Sequence, residues 1–443
     1  MKPARKTSEQ GAAETRKPLY YGWIIVAVCF FIVVISAAAR TSFGAFFNPM
    51  REDFGWSYGL TSVAISIGML VGGIFGPFVG YLLDKLGGRT VFLWGLVMMG
   101  ASTILLSLTN HILFLILMFG VVTSIGTAAA GTSTAIAFLA RWFRRRRTIA
   151  FGLVTAGLSV GGLVMVPLAA YLIQATDWRT AWVVLGVIIL GLGFPVTFLL
   201  LKNDPKEMGL LPDGDREPPQ GDSNTQAAVV HTLLEAEAWT EPLRSVPYWQ
   251  ITGAYFVCGA TTGILYAHFI PYAQDKGMAL TTAATAFGTM SFLNIVGVVI
   301  ISALANKFPR KNLLGVVYAL RGVGYAVLIV VPAPWGIWGF AGIMGFTWIA
   351  TLPLNTSLTA DFYGLKYLGT LAGITFLVHQ LGAAGAILLA GILRDVTGSY
   401  DLPFAIAASL LLPAAVASFL IREKKYSAKY QGAIETTSTS SSG

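Results

Sequence analysis

Charge is scarce in this sequence. Asp, Glu, Lys and Arg make up 12% of its 443 residues, about half of the ~25% that a soluble domain carries, which excludes a water-facing surface of ordinary extent. Acidic groups are absent where the chain is most apolar: none of the 21 Asp and Glu residues falls in the middle of a long hydrophobic run. Cysteine is nearly missing. Cys29 and Cys258 both lie in apolar runs and offer neither a disulfide framework nor metal-ligand spacing. Catalytic patterns are wanting too. Gly157 to Gly161 spells Gly-x-Ser-x-Gly, but a nucleophile elbow needs a strand-to-helix turn, and this copy sits inside a Gly-rich apolar segment. Gly72 to Gly80, GGIFGPFVG, reads as close helix packing with a Pro kink rather than phosphate binding. The expectation is no enzyme, no cofactor and no metal.

What the sequence has in abundance is hydrocarbon. The hydrophobic set reaches 55%, and runs of about 20 apolar residues, the length that crosses a bilayer core of roughly 30 Å, recur along nearly the whole chain. Six spans are expected between Tyr21 and Leu201 and six more between Tyr248 and Ile421. The class is therefore an all-α membrane protein of twelve transmembrane helices. The first apolar stretch is about twice the 7 to 15 residues of a signal h-region, so it is expected to remain as a helix. An even number of spans puts both termini on one side. Of the 30 Lys and Arg residues, 24 then fall on the terminal side, two lie within spans, and four (Arg51, Arg179, Lys276, Arg394) lie opposite. Cytoplasmic loops collect Lys and Arg. A multi-pass protein of the cell inner membrane with cytoplasmic termini is expected. Its net charge of +9 faces anionic lipid rather than nucleic acid, and it is expected to be a monomer.

Along the chain, residues 1–19 and 422–443 read as polar cytoplasmic tails. Residues 202–246, with five Pro, read as a cytoplasmic linker between halves 20–201 and 247–421. The halves repeat: an offset of 222 carries Pro49 to Pro271, Asp53 to Asp275, Gly55 to Gly277, Lys85 to Lys307 and Arg89 to Lys311, and an offset of 221 carries Gly152 to Gly373 and Gly161 to Gly382. Six helices return the second half to the starting side, so the repeats are parallel and pseudo-symmetric. This suits a substrate held near the midplane between two rocking halves.

Gly80 to Thr90, GYLLDKLGGRT, resembles the signature loop of the major facilitator superfamily, departing at Thr90. A degraded copy runs from Asn306 to Lys311. Trp142 to Gly157, WFRRRRTIAFGLVTAG, resembles the monocarboxylate-transporter pattern. Tyr21-Gly22-Trp23, Ser42 to Phe47 (SFGAFF) and Asp204 to Gly214 (DPKEMGLLPDG) are similar to bacterial members of the monocarboxylate and oxalate/formate branch. The resemblance covers about Tyr20 to Ile421. It implies the major facilitator fold, transport of small organic anions, often with a proton, and conformational gating by Gly80, Asp84, Lys85, Arg89 and Arg145. One departure bars direct transfer of a binding residue. The eighth helix of that family commonly carries a buried Arg, whereas Thr281 to Ala305 holds no charge.

Polar groups inside spans are costly and mark functional candidates. Arg40 on the first helix and Arg321 on the ninth have no evident acidic partner. A guanidinium matches a carboxylate bidentately and stays protonated, so Arg40 is read as a substrate contact. The alternative is outward snorkelling toward the headgroups. Arg321 is read as bonded to carbonyls of neighbouring helices. His379 either tunes charge with a proton or is a satisfied hydrogen-bonding group; His268 is a weaker candidate. Thr347, Thr351, Asn355 and Thr359, each four apart, share a helical face, as do Thr123, Thr127, Gly131 and Thr134. Either stripe lines a wet cavity or packs helices through small polar groups. Asn294, Tyr266 and Gln380 complete the expected lining. The reading is a secondary carrier of a small organic anion by alternating access, with a monocarboxylate as the favoured class and proton symport or anion exchange as the coupling. Efflux of amphiphilic compounds is the alternative carrier, permitted by 27 Phe and 11 Trp. A sensor or intramembrane enzyme is a third class, for which the linker is too short to hold a catalytic domain of typical size.

Overall fold

A computed structural model describes residues 20–143, 146–214, 238–305, 307–364 and 367–422. All twelve expected helices are present: α1 (Gly22–Phe54), α2 (Tyr58–Leu86), α3 (Gly88–Leu108), α4 (Ile112–Leu139), α5 (Ile149–Ala175), α6 (Trp178–Leu200), α7 (Val246–Asp275), α8 (Leu280–Leu304), α9 (Arg310–Val330), α10 (Trp335–Tyr363), α11 (Leu368–Thr397) and α12 (Asp401–Phe419). Helix is what hydrocarbon demands, because no water is available there to satisfy a backbone N–H or C=O.

Turn chemistry sets the ends. Ser57 caps α2 by accepting from Leu60 N, and Asp177 caps α6 by accepting from Arg179 N and Thr180 N. The N–H and hydroxyl of Thr180 hold the Asp177 carboxyl below the usual carboxylate range. Gly55 stops α1 with φ +65°, and Gly277, its repeat mate, follows α7 with φ +86°. Only glycine takes this region without cost, so the duplication is visible in backbone geometry as well as in sequence.

Helices α1–α6 form one lobe and α7–α12 the other. The seam between them is built by α2 against α11 and α5 against α8, with the second half of α1 on α7. The four Lys and Arg residues assigned to the sparsely basic end all meet carboxylates there: Arg51 with Glu52, Arg179 with Asp53, Lys276 with Asp401 and Arg394 with Asp275. At the opposite end three of the segments that carry the family resemblance converge. The Tyr20 hydroxyl donates to Trp142 O (2.9 Å), the Tyr21 hydroxyl to Leu200 O (2.9 Å), and Asp213 N to Trp142 O (3.0 Å).

Several helices are broken where the sequence pattern is regular. In α1, Thr41 and Ser42 form a turn between two helical pieces. In α4, Ile116–Thr123 is wound as a π-helix, and Gly131 is extended. In α10 the helix lapses between Thr347 and Thr351. Such interruptions are tolerated at membrane depth where they are buried in protein or line a cavity.

Candidate substrate site

Between the lobes lies a chamber of about 270 Å3, walled by α1, α2, α4, α5, α7, α10 and α11. Arg40 reaches it from the last turn of the first piece of α1. Its guanidinium donates to Met69 Sδ (3.1 Å), a weak acceptor, and stands 6.0 Å from the centre of the Tyr266 ring. It forms no ion pair among the described residues. Among its described residues the chamber wall holds no Asp, Glu or Lys, and Arg40 is its one Arg. The reading of Arg40 as snorkelling away from the interior does not fit this position.

Of the other expected lining groups, Tyr266, Thr351, His379 and Gln380 reach the chamber. His379 Nδ1 lies 3.2 Å from Gln380 Oε1, and its ring is 4.5 Å from that of Tyr255. Gln380 crosses the seam, donating to Met69 O (3.1 Å). Two expected residues do not reach the wall. Asn294 donates to Gly345 O (3.1 Å) and accepts from Ser159 Oγ (3.0 Å), so both ends of its amide are engaged in joining helices. Asn355 is buried beside the Tyr318 hydroxyl of α9.

Each polar stripe reaches the chamber only in part. The lapse in α10 separates Thr347 from the regular piece Thr351–Tyr363, and of that stripe only Thr351 is on the chamber wall, with Asn355 and Thr359 one and two turns farther along the same piece; Thr347 and Thr359 bond within their own helix. The π-helical turn in α4 rotates Thr123 onto α3, where it meets Ser102 Oγ at 2.7 Å, while Thr127, Gly131 and Thr134 keep to the wall. The glycines of α2 also depart from expectation. Gly73 packs on Gln380, but Gly72 and Gly76 face the chamber with nothing within 4 Å of a built Cβ. Ser159 of the rejected nucleophile pattern serves as the donor to Asn294.

Arg321 is fully buried behind this wall. One terminal nitrogen donates to Thr347 O (2.7 Å) and Trp348 O (2.8 Å), and the other approaches Cys258 Sγ (3.2 Å) and Thr261 Oγ1 (3.4 Å). The carbonyls are those freed where α10 lapses. The guanidinium therefore closes the helix break that sets Trp348 on the chamber wall.

The end with few basic residues is sealed across the seam. Asp395 of α11 accepts from Tyr58 N (2.8 Å) and Gly59 N (2.7 Å) at the start of α2. Asn48 donates to Gln274 Oε1 (3.0 Å), and Ser66 donates to Ala384 O (2.9 Å). His268 is fully buried there, with Tyr400 Oη, Ile387 O and Ser62 Oγ within 3.0 to 3.3 Å. At the basic end, the ion pairs Arg141–Asp84 (2.8 Å) and Arg310–Asp361 each stay within one lobe. Of the expected gating residues, Asp84 meets Arg141, Lys85 lies over the Tyr81 ring at 4.7 Å, and Arg89 donates to Phe198 O (2.6 Å). Gly80 borders open space, and the turn is made instead by Gly87 with φ +80°. Arg145 lies outside the described residues.

Sequence reading missed Tyr255, Cys258, Thr262, Trp348 and Phe376 on the wall, and Asp395 in the seal. The first three share with Tyr266 one face of α7 at helical spacing, a signal that was present. Trp348 owes its place to the break in α10, which has no local sequence signature.

The Major Facilitator Superfamily model matches residues 29–387. An uncharacterized MFS-type transporter, YcxA, of Bacillus subtilis is 25% identical over 87% of this chain and 91% of its own. Monocarboxylate transporter 12 of Rattus norvegicus is 27% identical over 87% and 82%, and monocarboxylate transporter 11 of Homo sapiens is 28% identical over 88% and 81%. Among solved structures, a bacterial homolog of the human lysosomal transporter Spinster, in an inward-facing and occupied conformation, superposes with a TM-score of 0.65 at 15% identity, covering 90% of this chain and 97% of that one.

Proposed function

The chain belongs to the Major Facilitator Superfamily, a transporter rather than an enzyme, and on that premise we propose that it carries a small organic anion, a monocarboxylate, by alternating access. The observation that carries this reading is Arg40: a fixed cation on the chamber wall with no ion-pair partner among the described residues. A guanidinium removed from bulk water is costly while uncompensated. A translocated carboxylate supplies the missing charge during transport, in the bidentate geometry that arginine favours. The relatives named monocarboxylate transporters support the same class.

His379, beside Gln380 and Tyr255 on the wall, is proposed to tune the chamber's charge with a proton, or to serve an exchange cycle. The basic end is assigned to the cytoplasm of the cell's inner membrane by the distribution of Lys and Arg, with both termini on that side and the carrier acting as a monomer. The sealed end is then periplasmic and the conformation inward-open.

Arg40→Gln tests the assignment in proteoliposomes. Uptake of a labelled monocarboxylate should fall by at least about tenfold, the scale set by losing one charge-assisted bond of roughly 1.5–3 kcal/mol, while the melting temperature of the purified protein stays close to that of the parent. Unimpaired uptake would defeat the role given to Arg40. Amphiphile efflux draws support from the aromatic wall of Tyr255, Tyr266, Trp348 and Phe376. It predicts that uncharged analogues bind as well as acids.

A further inference from the structure

The sealed end buries a histidine on the line along which the lobes meet. His268 of α7 is 0% exposed and has neighbours from both lobes. From its own lobe, Tyr400 Oη at the head of α12 lies 3.0 Å from Nδ1, and Ile387 O of α11 lies 3.0 Å from Nε2. From the other, Ser62 Oγ of α2 lies 3.3 Å from Nε2, and the Phe47 ring of α1 stands 5.2 Å from the imidazole.

These contacts assign the hydrogen on the ring. A carbonyl oxygen only accepts, and the Ser62 hydroxyl donates its own hydrogen to Tyr58 O (2.7 Å). Nε2 is therefore the donor, shared between Ile387 O and Ser62 Oγ, and Nδ1 accepts from the Tyr400 hydroxyl. A second proton, on Nδ1, would turn that hydroxyl away from its one hydrogen-bond partner among the described residues, leaving a buried O–H unmet. It would also place a cation where the surrounding charges are already engaged. Arg51 pairs with Glu52 on α1, Arg394 of α11 with Asp275 of α7, and Lys276 with Asp401 of α12. The Asp395 carboxylate of α11 accepts from Tyr58 N and Gly59 N of α2. Tyr58 and Tyr272, whose ring centres lie 5.8 and 6.2 Å from that of Tyr400, bring hydroxyls and no charge.

We propose that His268 is a proton-operated latch: the sealed lobes accommodate one proton on its ring, and a second, taken from solution once the lobes part, keeps them parted. Parting withdraws Ser62 and Phe47, which belong to the other lobe, and water reaches the ring edge they cover. There an imidazole titrates in its ordinary range, near about 6.5. Because the parted state binds the second proton and the sealed state does not, acid shifts the balance toward the parted state. The latch rests on the alternating-access reading, in which the seal opens, and on no choice of substrate.

The test reads the seal in the purified full chain, with Cys29 and Cys258 replaced by Ser and a reporter cysteine at Gln274, whose side chain meets Asn48 across the seam. Labelling by a membrane-impermeant maleimide is followed at about pH 8 and about pH 5.5, the latter still above the ordinary carboxylate range. Each rate is divided by that of the same chain unfolded in detergent at the same pH. The normalised rate should rise about tenfold on acidification, because one unit below the ordinary histidine value the doubly protonated ring outnumbers the singly protonated one by about ten in the parted state. The rise should vanish in His268→Gln and persist in a chain whose other histidines, His111, His231 and His379, are all Gln. A flat parent profile overturns the latch, as does a rise that survives His268→Gln or is lost with the other three histidines. Asp395→Asn separates this failure from failure of the reading beneath it. Faster labelling of that variant at both pH values beside a flat parent means that the seal parts without a proton on His268. If neither acid nor Asp395→Asn speeds labelling, the seal does not part, and the alternating-access reading falls with the latch. Should His268→Gln fail to fold, the chain that keeps His268 as its only histidine decides the question.

Discussion

At the scale of single residues, the two intramembrane arginines divide a task that composition alone would assign to either. Arg40 meets a thioether and an aromatic face and is half-buried on the chamber wall. Arg321 is fully buried and occupied by two backbone carbonyls. Their replacement should therefore have opposite signatures. Arg321→Gln ends two bonds short of the guanidinium nitrogen that meets both carbonyls, and it leaves at least one unpaired at the helix break. Interhelical side-chain bonds in membranes average only about 0.6 kcal/mol because the unfolded helices find other partners, but a buried backbone acceptor left unmet costs about 1–3 kcal/mol. Arg321→Gln is expected to destabilise the protein by about 2 kcal/mol, read as a lower melting temperature and an earlier midpoint on titration with a denaturing detergent. Arg321→Lys should fall between the two, because one ammonium can replace the nitrogen that meets both carbonyls but leaves Cys258 and Thr261 without the second. A variant as stable as the parent would show that the carbonyls of Thr347 and Trp348 are met in another way.

At the scale of helices, α2 and α11 cross closely at the sealed end, and the closeness depends on absent side chains. A Cβ built on Gly391 lies 2.7 Å from Tyr58 O and 3.0 Å from Gly59 Cα, and one built on Gly59 lies 3.0 Å from Asp395 Oδ2. The Asp395 carboxylate then sits on the N-terminus of α2, where unpaired N–H groups and the helix dipole both favour an anion. Gly391→Val should force the two helices apart, and Asp395→Asn should remove one of the two accepting oxygens. Both should open the seal. With Cys29 and Cys258 replaced by Ser and a reporter cysteine at Gln274, labelling by a membrane-impermeant maleimide is expected to rise severalfold in either variant; an unchanged rate would dismiss the carboxylate as a latch. None of this crossing was legible in the chain, because Asp395 and Gly59 are 336 residues apart and neither belongs to a recognisable pattern. The helices themselves were legible, since hydrocarbon imposes one backbone solution on any run long enough to span it. Chamber residues were legible where helical register holds, as at Tyr266, His379 and Gln380. They were misplaced where it lapses, as at Thr123, because π-turns depend on neighbouring helices to satisfy the backbone; Asn355 stays in register with Thr351 but lies a turn beyond the chamber. Asn294 was misplaced for another reason: a buried amide is as useful between helices as on a cavity wall.

For the whole molecule, the contacts sort by end. Asn48 with Gln274, Tyr58 and Gly59 with Asp395, and Ser62 with His268 join the lobes at one end, whereas Asp84 with Arg141 and Arg310 with Asp361 stay within a lobe at the other. A carrier that rocks its lobes about a central site must exchange these patterns, breaking the seam at the sealed end while the open end closes. The exchange is feasible because the seal is made of hydrogen bonds and small-residue contacts, while the ion pairs at that end each join residues of one lobe and need not break. A covalent bond across the seal should then arrest the cycle. The Asn48 and Gln274 side chains meet at 3.0 Å, so cysteines at these two positions, in a chain otherwise free of cysteine, lie close enough to be tested with a mild oxidant or a short bifunctional maleimide. Counterflow should be lost on crosslinking and return on reduction of the disulfide, while each single-cysteine chain keeps its activity under the same oxidant. Binding of a carboxylate to the crosslinked protein, measured by thermal shift, should persist, as the inward-open reading proposed above requires. Transport that continues at full rate through a fully crosslinked seal would mean that the lobes do not part there, and an alternating cycle would have to be abandoned for this chain.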